Sequence, residues 1–257
     1  MMKFFRIVFA VLALTSLSAG ARAQYARDTV CFRPTQLIAP VALMGTGACI
    51  HYFGHESIDA GIRDWNLSHL NVDGNGLFLD FGTYFAYGSP AVFLGAGLLG
   101  ARPKHAFVDR TVEAAISYSF AYSTGFILKR VMHTLRPDGS DYRSFPSGHT
   151  LFAFTSAELM RNDYGPWWGA AFYTMACGTA AERIYGNRHW FSDVLAGAGL
   201  GILSAHIGIW LLEPVKSLFS IPDISWDGLS SRNVQIAFTP SADPYSGTPT
   251  ANLSILF

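Results

Sequence analysis

The chain has 257 residues, half of them apolar, and its 18 basic and 18 acidic side chains give a formal net charge of zero at pH 7. This length and composition fit one domain with a large apolar core, and the charge balance gives no sign of nucleic-acid binding. The three cysteines lack the spacing of metal ligands and therefore indicate no metal site.

The first 23 residues have the organisation of a secretory signal peptide. Two basic residues precede an apolar run over 7–17, and the small-residue sequence Ala-Arg-Ala ends at Ala23 as a cleavage site. We therefore expect residues 1–23 to be removed and the mature protein to lie outside the cytoplasm. An uncleaved membrane anchor is the alternative.

Apolar segments with the length and periodicity of helices dominate residues 24–215. They predict an all-α domain, a bundle of about six helices. The polar stretch over 57–76 is expected to be a connecting loop, with an amphipathic turn at a membrane surface as the alternative. The predicted helices cover 36–54, 78–100, 111–133, 148–162, 167–185 and 190–213.

The tail over residues 216–257 has a different pattern. Apolar and polar residues alternate over 233–239 and again over 252–257, with Asp-Pro and Ser-Gly turn signals between them. This pattern predicts a small C-terminal β-hairpin, which we expect to dock on the bundle.

Three short clusters hold residues suited to binding phosphate. KRVMHTLRP contains Lys129 and Arg136, PSGH contains Ser147 and Gly148, and RIYGNRHWFSD begins at Arg183. A phosphoryl group in transfer carries negative charge on its oxygens, so lysine and arginine side chains stabilise it. A serine at a helix N-terminus leaves backbone N–H groups facing an anion, and a glycine allows close backbone approach.

The second and third clusters also contain two histidines and a carboxylate. His189 and Asp193 are four residues apart, which places them on one face if the segment is helical. Asp193 can then fix the tautomer of the imidazole and leave its other nitrogen free to attack phosphorus. His149, on another helix, remains to protonate the leaving oxygen. Up-and-down packing of the helices brings all three clusters to one end of the bundle.

The clusters resemble the signature of the type 2 phosphatidic acid phosphatase and vanadium haloperoxidase superfamily, Lys-x6-Arg-Pro, Pro-Ser-Gly-His and Arg-x5-His-x3-Asp. The resemblance implies a helical bundle and hydrolysis of a phosphomonoester or pyrophosphate through a phosphohistidine, without a metal or other cofactor. It implies that His189 is the nucleophile, Asp193 its orienting partner and His149 the general acid. Phosphate binding is implied for Lys129, Arg136, Ser147, Gly148 and Arg183.

The chain departs from the family pattern in two places. Glu182 stands where the family usually has a serine before the arginine of the third motif, and the connection over 138–145 is short. Neither departure removes a catalytic group. A metal site at His51 and His55 is not expected, because no third ligand has matching spacing.

The signal peptide and the apolar bundle favour a phosphorylated lipid as substrate. We expect an extracytoplasmic protein of the bacterial cell envelope, seated on or partly in a membrane, with a six-pass protein as the alternative topology. Phe145, Trp190 and Phe191 either contact lipid chains or pack in the core. Alternative functions are a periplasmic non-specific acid phosphatase and a vanadate-dependent haloperoxidase, and the oligomeric state stays open.

Overall fold

The computed structural model describes residues 32–69, 77–99, 101–221, 235–242 and 249–256. The predicted signal peptide lies outside the described residues, and so does the predicted hairpin turn.

Helices make up the body of the protein, as the sequence predicts. The described residues contain seven α-helices, joined in places by short 3-10 or π turns: α1 Ile38–Phe53, α2 Ala60–His69, α3 Leu77–Gly95, α4 Phe107–Met132, α5 Gly148–Tyr164, α6 Pro166–Tyr185 and α7 Phe191–Phe219. The helical class is therefore confirmed, whereas the expected number of about six is one helix short.

The additional helix is α2, which lies where the sequence predicts a loop. Its sequence AGIRDWNLSH is polar, and Asn66 is its one buried residue. The π turn before α2 buries Asp59, whose carboxylate accepts hydrogen bonds from the backbone N–H and the hydroxyl of Ser192 at 2.9 and 2.6 Å. Tertiary hydrogen bonds anchor this segment, and apolar periodicity cannot reveal them.

Helix α7 is the centre of the bundle and packs against α1, α4 and α5. Helix α5 in turn packs against α6, and α3 lies across α5 and α6. The main core cluster includes Phe154, Leu159 and Met160 of α5 together with Ile202 and Ile209 of α7.

Glycines on α7 allow its neighbours to approach unusually closely. A Cβ at Gly199 would stand 2.7 Å from the carbonyl oxygen of Pro40 in α1, and one at Gly201 would stand 2.4 Å from the carbonyl oxygen of Leu151 in α5. Farther along, a Cβ at Gly208 would meet the α4 backbone at 2.7 Å. The glycines of α7 therefore serve close helix packing.

Two described helical segments, Pro34–Phe53 and Phe191–Phe219, are long and apolar enough to cross a membrane, judged by length and composition alone. In the second, 72% of the apolar window is buried within the protein, against 11% in the first. A central core helix passes the same test, so the apolar character of α7 is explained by its position in the bundle. The seating of the bundle in a membrane stays a prediction.

Two strands lie in the tail, β1 Gln235–Ala242 and β2 Pro249–Leu256, and they pair antiparallel. Gln235 is opposite Leu256 and Ala242 is opposite Pro249. The sequence predicts strands at 233–239 and 252–257, close to these positions. Docking of the hairpin on the bundle lies outside what is described.

Replacing Gly201 with alanine should destabilise the protein, because the new methyl group would meet the α5 backbone. Overpacking of this kind costs about 1–3 kcal/mol in the free energy of unfolding. Denaturant unfolding of the purified full chain measures the change. Gly61→Ala is the matched control: a Cβ there meets nothing within 4 Å, and alanine is the better helix former. Equal stability of the two variants would contradict the close approach of α5 and α7.

Candidate active site

The three sequence clusters meet at one end of the bundle. Lys129 lies in the last turn of α4, Ser147 is the N-cap of α5, and Arg183 lies in the last turn of α6. His189 and Asp193 flank the start of α7. The convergence predicted from up-and-down packing is therefore present in the structure.

His189 lies in the turn before α7 rather than on the helix, because α7 begins at Phe191. The expectation that His189 and Asp193 share a helix face is therefore wrong, yet the two side chains meet. Nδ1 of His189 is 3.5 Å from Oδ2 of Asp193, which is long for a hydrogen bond. Catalytic contacts of this kind are often loose in an empty site and tighten when substrate binds. His189 is 3% exposed, and burial lowers its pKa despite the neighbouring carboxylate.

Asp193 is fully buried and is held by groups from two segments. Its Oδ2 accepts a hydrogen bond from the hydroxyl of Ser144 and another, 2.8 Å long, from the backbone N–H of Trp190. The backbone N–H of Ser147 donates to the carbonyl oxygen of Asp193 at 3.0 Å. One residue therefore ties the loop before α5 to the start of α7.

His149 lies in the first turn of α5 with its imidazole near α3. Its Nε2 is 3.4 Å from the hydroxyl oxygen of Thr83, and Tyr87 contacts the ring edge-on. Burial lowers its pKa to about 3, and the charges that contribute next belong to four other predicted site residues: Arg183, His189, Arg136 and Lys129. The charged side chains of the site therefore lie close enough to His149 to act on its pKa together.

Lys129 joins α4 to the loop before α5. Its ammonium group donates to the carbonyl oxygens of Arg143, Ser144 and Pro146 at 2.8, 3.4 and 2.6 Å. Burial, followed by the charge of Arg136, lowers the pKa of Lys129 to about 8. The ammonium group therefore fixes the position of the loop before α5 and also supplies positive charge.

Carboxylates hold the two arginines of the site. Arg136 donates through Nε to Asp141 at 2.9 Å and through Nη1 to the carbonyl oxygen of Arg188 at 3.2 Å. Arg183 donates through Nη2 to Glu182 and, at 3.1 Å, to the hydroxyl of Thr83.

Glu182, the departure from the family motif, therefore positions the arginine beside it. Its second oxygen accepts the backbone N–H of Gly82 in α3, so the same carboxylate connects α6 to α3. A Cβ at Gly82 would collide with that oxygen at 1.9 Å, so this contact requires a glycine. Burial raises the pKa of Glu182, and the adjacent Arg183 opposes the shift.

The start of α5 has the predicted N-terminal geometry. Ser147 is the N-cap with an extended backbone, fully buried, but its hydroxyl makes no capping bond and instead accepts from Thr150 at 3.0 Å. A Cβ on Gly148 would lie 3.9 Å from Cε of Lys129. The backbone of this turn is thus adjacent to the lysine that the sequence assigns to the same anion.

Sequence reasoning did not find Thr83 or Ser144. Thr83 contacts both His149 and Arg183, and Ser144 donates to Asp193. A hydroxyl residue in an apolar helix or a short loop carries no motif, so only the tertiary contacts identify these two.

The aromatic residues near the motifs pack in the core. Phe145 and Trp190 are 6% and 7% exposed. The ring of Phe145 lies 4.8 Å from that of His51, and the Trp190 indole N–H donates to the carbonyl oxygen of Leu135 at 2.7 Å. The core alternative is therefore correct for these two residues.

The described geometry can be compared with known proteins. The family model of the PAP2 superfamily matches residues 82–216, which is more than half of the chain. The chain belongs to the PAP2 superfamily. The matched range contains all three motifs, and the resemblance inferred from them is confirmed.

Individual relatives are similar over parts of the chain. A lipid A 1-phosphatase of Porphyromonas gingivalis is 51% identical over 82 residues, which are 31% of this chain and 18% of that protein. The match thus spans less than a fifth of the relative's own length.

Two solved structures are also similar. LpxE of Aquifex aeolicus is 24% identical with a TM-score of 0.45, covering 59% of this chain and 94% of that one. A transmembrane PAP2-type phosphatidylglycerolphosphate phosphatase of Bacillus subtilis is 20% identical with a TM-score of 0.44, covering 73% of this chain and 99% of that one.

Phosphate binding at the site should weaken as the pH rises through the pKa of Lys129, which is about 8. Above that pH the ammonium group loses its proton and the anion loses one cationic neighbour. The inhibition constant of inorganic phosphate should then increase, by up to roughly tenfold per pH unit. Lys129→Arg is the control, since a guanidinium group stays charged. A wild-type inhibition constant that stays flat between pH 7 and 9.5 would refute the role of Lys129.

Proposed function

We propose that this protein is a PAP2-type phosphatase that hydrolyses the phosphomonoester or pyrophosphate group of a membrane lipid through a phosphohistidine intermediate. The observation that supports it best is one buried histidine, His189, whose Nδ1 faces a fully buried carboxylate while cationic side chains surround it. A histidine held this way is a nucleophile in a site built for an anion.

Binding of the phosphate group rests on charge and on a helix start. Arg136 and Arg183 each present a planar, delocalised positive charge, and Lys129 adds a compact charge. The backbone N–H groups that follow Ser147 add partial positive charge. The site needs no metal or other cofactor in this scheme.

The first chemical step is attack by Nε2 of His189 on phosphorus, because Nδ1 is the nitrogen beside Asp193. The bond between phosphorus and the leaving oxygen breaks as the bond between nitrogen and phosphorus forms. His149 gives its proton to the leaving oxygen, which departs as an alcohol from a phosphomonoester or as a phosphate monoester from a lipid pyrophosphate.

The second step returns both histidines to their starting states. Water attacks the phosphohistidine and transfers a proton to His149, which is neutral after the first step. The bond between nitrogen and phosphorus breaks, and inorganic phosphate leaves. The orienting carboxylate of Asp193 stabilises the positive charge that the ring of His189 carries in between.

Substrate binding itself makes His149 an acid. With a pKa of about 3 in the empty site, His149 is neutral at pH 7 and has no proton to donate. A bound phosphate dianion offsets the charges of Lys129, Arg136 and Arg183, which are among the causes of that low pKa. We therefore expect the pKa of His149 to rise in the complex, so that His149 takes up a proton from solvent when substrate binds and can then act as the general acid.

A lipid substrate is favoured by apolar surface beside the catalytic end. The hydroxyl of Tyr52 at the end of α1 contacts the sulfur of Met132 at the end of α4. Their sequence neighbours Phe53 and Val131 are 89% and 72% exposed, and Leu135, three residues after Met132, is 42% exposed. Large exposed apolar residues in this concentration indicate contact with a membrane or with lipid chains.

Lipid A is the first candidate substrate, because the P. gingivalis relative is named a lipid A 1-phosphatase. Undecaprenyl pyrophosphate, phosphatidylglycerol phosphate and phosphatidate are the other candidates. We further propose that the protein is membrane-associated and that its site faces the periplasm, in keeping with the signal peptide expected at residues 1–23.

His189→Ala should abolish turnover, and rapid quenching of the wild type with labelled substrate should trap phosphate on His189. His149→Ala should lower the rate about 10²–10⁴-fold for an alkyl phosphate, whose leaving oxygen needs a proton. The loss should be much smaller for a nitrophenyl phosphate. His69→Ala, an exposed histidine on α2, is the matched control and should keep full activity. Equal losses for both leaving groups would contradict the acid role of His149.

Mass spectrometry of envelope lipids should name the substrate. Cells with His189→Ala should accumulate one phosphorylated lipid that is dephosphorylated when the wild-type protein or His69→Ala is present. An unchanged lipid profile, combined with strong hydrolysis of soluble phosphomonoesters by the purified protein, would contradict the lipid substrate and indicate a periplasmic acid phosphatase instead.

A further inference from the structure

A second cluster of chemically capable side chains lies at the opposite end of the bundle. His105 precedes α4, Glu113 lies in the second turn of α4, and Asp163 is near the end of α5. One ligand atom from each lies within 4.8 Å of the others. Sixteen residues of α4 separate Glu113 from Lys129, which corresponds to roughly 24 Å along the helix.

His105 contacts one oxygen of Asp163, and the other three carboxylate oxygens of this cluster have no hydrogen-bond partner among the described residues. Glu113 is 0% exposed, and within the described parts of the chain neither of its oxygens has a hydrogen-bond partner. Oδ2 of Asp163 is also buried and has no hydrogen-bond partner among the residues that the structure describes. A buried carboxylate needs a compensating charge or hydrogen bonds, so these oxygens require an occupant.

The neighbouring cations do not supply that occupant. Arg110 directs Nη1 to the carbonyl oxygens of Phe93 and Leu94 at 3.0 and 3.1 Å. Lys216 pairs with Asp109 at 2.6 Å. Lys104 is exposed, and its charge acts on Glu113 only in opposition to burial and to the charge of Asp163.

We propose that His105, Glu113 and Asp163 form a binding site for one divalent transition-metal cation, of which Zn²⁺ is the best match. One imidazole nitrogen with two carboxylates is a ligand set that zinc accepts, with water completing a tetrahedron. Nδ1 of His105 is 2.5 Å from Oδ1 of Asp163 and 3.7 Å from Oε2 of Glu113. Ligand atoms around tetrahedral zinc stand about 3.4 Å apart, so small side-chain shifts suffice.

A metal ion can reach the site from solvent, and a proton competes with it for Glu113. The side chain of His105 is 15% exposed, so an ion can enter from the loop before α4. Before an ion binds, burial and the adjacent Asp163 raise the pKa of Glu113 far above its usual range, so this carboxyl group carries a proton. Metal binding displaces that proton, so affinity increases with pH.

The metal has a structural role. It joins the loop over 101–106 to the ends of α4 and α5, and its distance from the phosphate-binding residues keeps it out of hydrolysis. Binding to the native state alone stabilises a protein by mass action.

Metal titration of the full-length protein, purified in detergent and stripped with chelator, tests the proposal. Zn²⁺ should bind with a stoichiometry of one by calorimetry. At a hundredfold excess over its dissociation constant it should raise the melting temperature by about 5–10 °C. Ca²⁺ and Mg²⁺, which prefer all-oxygen sites, should raise it less. Greater stabilisation by Ca²⁺ or Mg²⁺ than by Zn²⁺ would overturn the assignment of a transition metal.

Variants separate the site from other histidines of the chain. Glu113→Gln and His105→Ala should lose the Zn²⁺-dependent stabilisation, and Glu113→Gln should melt at or above the metal-free wild type. Glu213→Gln, an exposed glutamate on α7, and His149→Ala should retain it. Zn²⁺-dependent stabilisation that survives Glu113→Gln would overturn the metal site. A wild-type protein that Zn²⁺ does not stabilise would also overturn it. Neither readout depends on phosphatase activity.

Discussion

The close approach of α7 to its three neighbours is the constraint on which the rest of the molecule depends. Side chains at Gly199, Gly201 and Gly208 would collide with the backbones of α1, α5 and α4 respectively. At the catalytic end a fourth glycine, Gly197, leaves 2.7 Å between the place of its Cβ and the carbonyl oxygen of Ser147. The start of α5 is thereby held beside the start of α7, and the two histidines come from these two helix starts.

Buried charge makes this arrangement costly as well as specific. Asp193 is held by Ser144 and by the backbone of Trp190, and Glu182 holds Arg183 to α3. Burial, and after it the neighbouring cations, lower the pKa of His149. Cations gathered in one site repel one another, and under the proposed function a bound phosphate would offset that repulsion. The same physics acts with opposite sign at Glu113 and Asp163, whose carboxyl groups lie together in the interior beside His105.

Several structural features could be read from the sequence because they follow from local patterns. Six of the seven α-helices are apolar, and each predicted span overlaps an observed helix. The N-cap at Ser147 has a signature in neighbouring residues. The sequence did not predict helix α2, because its residues are polar and because Asp59 anchors its start to Ser192, more than a hundred residues away. The helix-face argument for His189 failed because α7 begins at Phe191, although the predicted pairing with Asp193 survives.

The sequence by itself determined the family, the helical class and the identity of the charged groups, because the motifs combine residue types that have one chemistry in common. The tertiary structure decided how those groups are held. Thr83 contacts both His149 and Arg183. Glu182, which stands where the family usually has a serine, is a hydrogen-bond partner of the same arginine. Lys129 binds the loop that carries Ser144. These contacts join residues from different helices, and pairwise proximity across a bundle is not encoded in any local pattern.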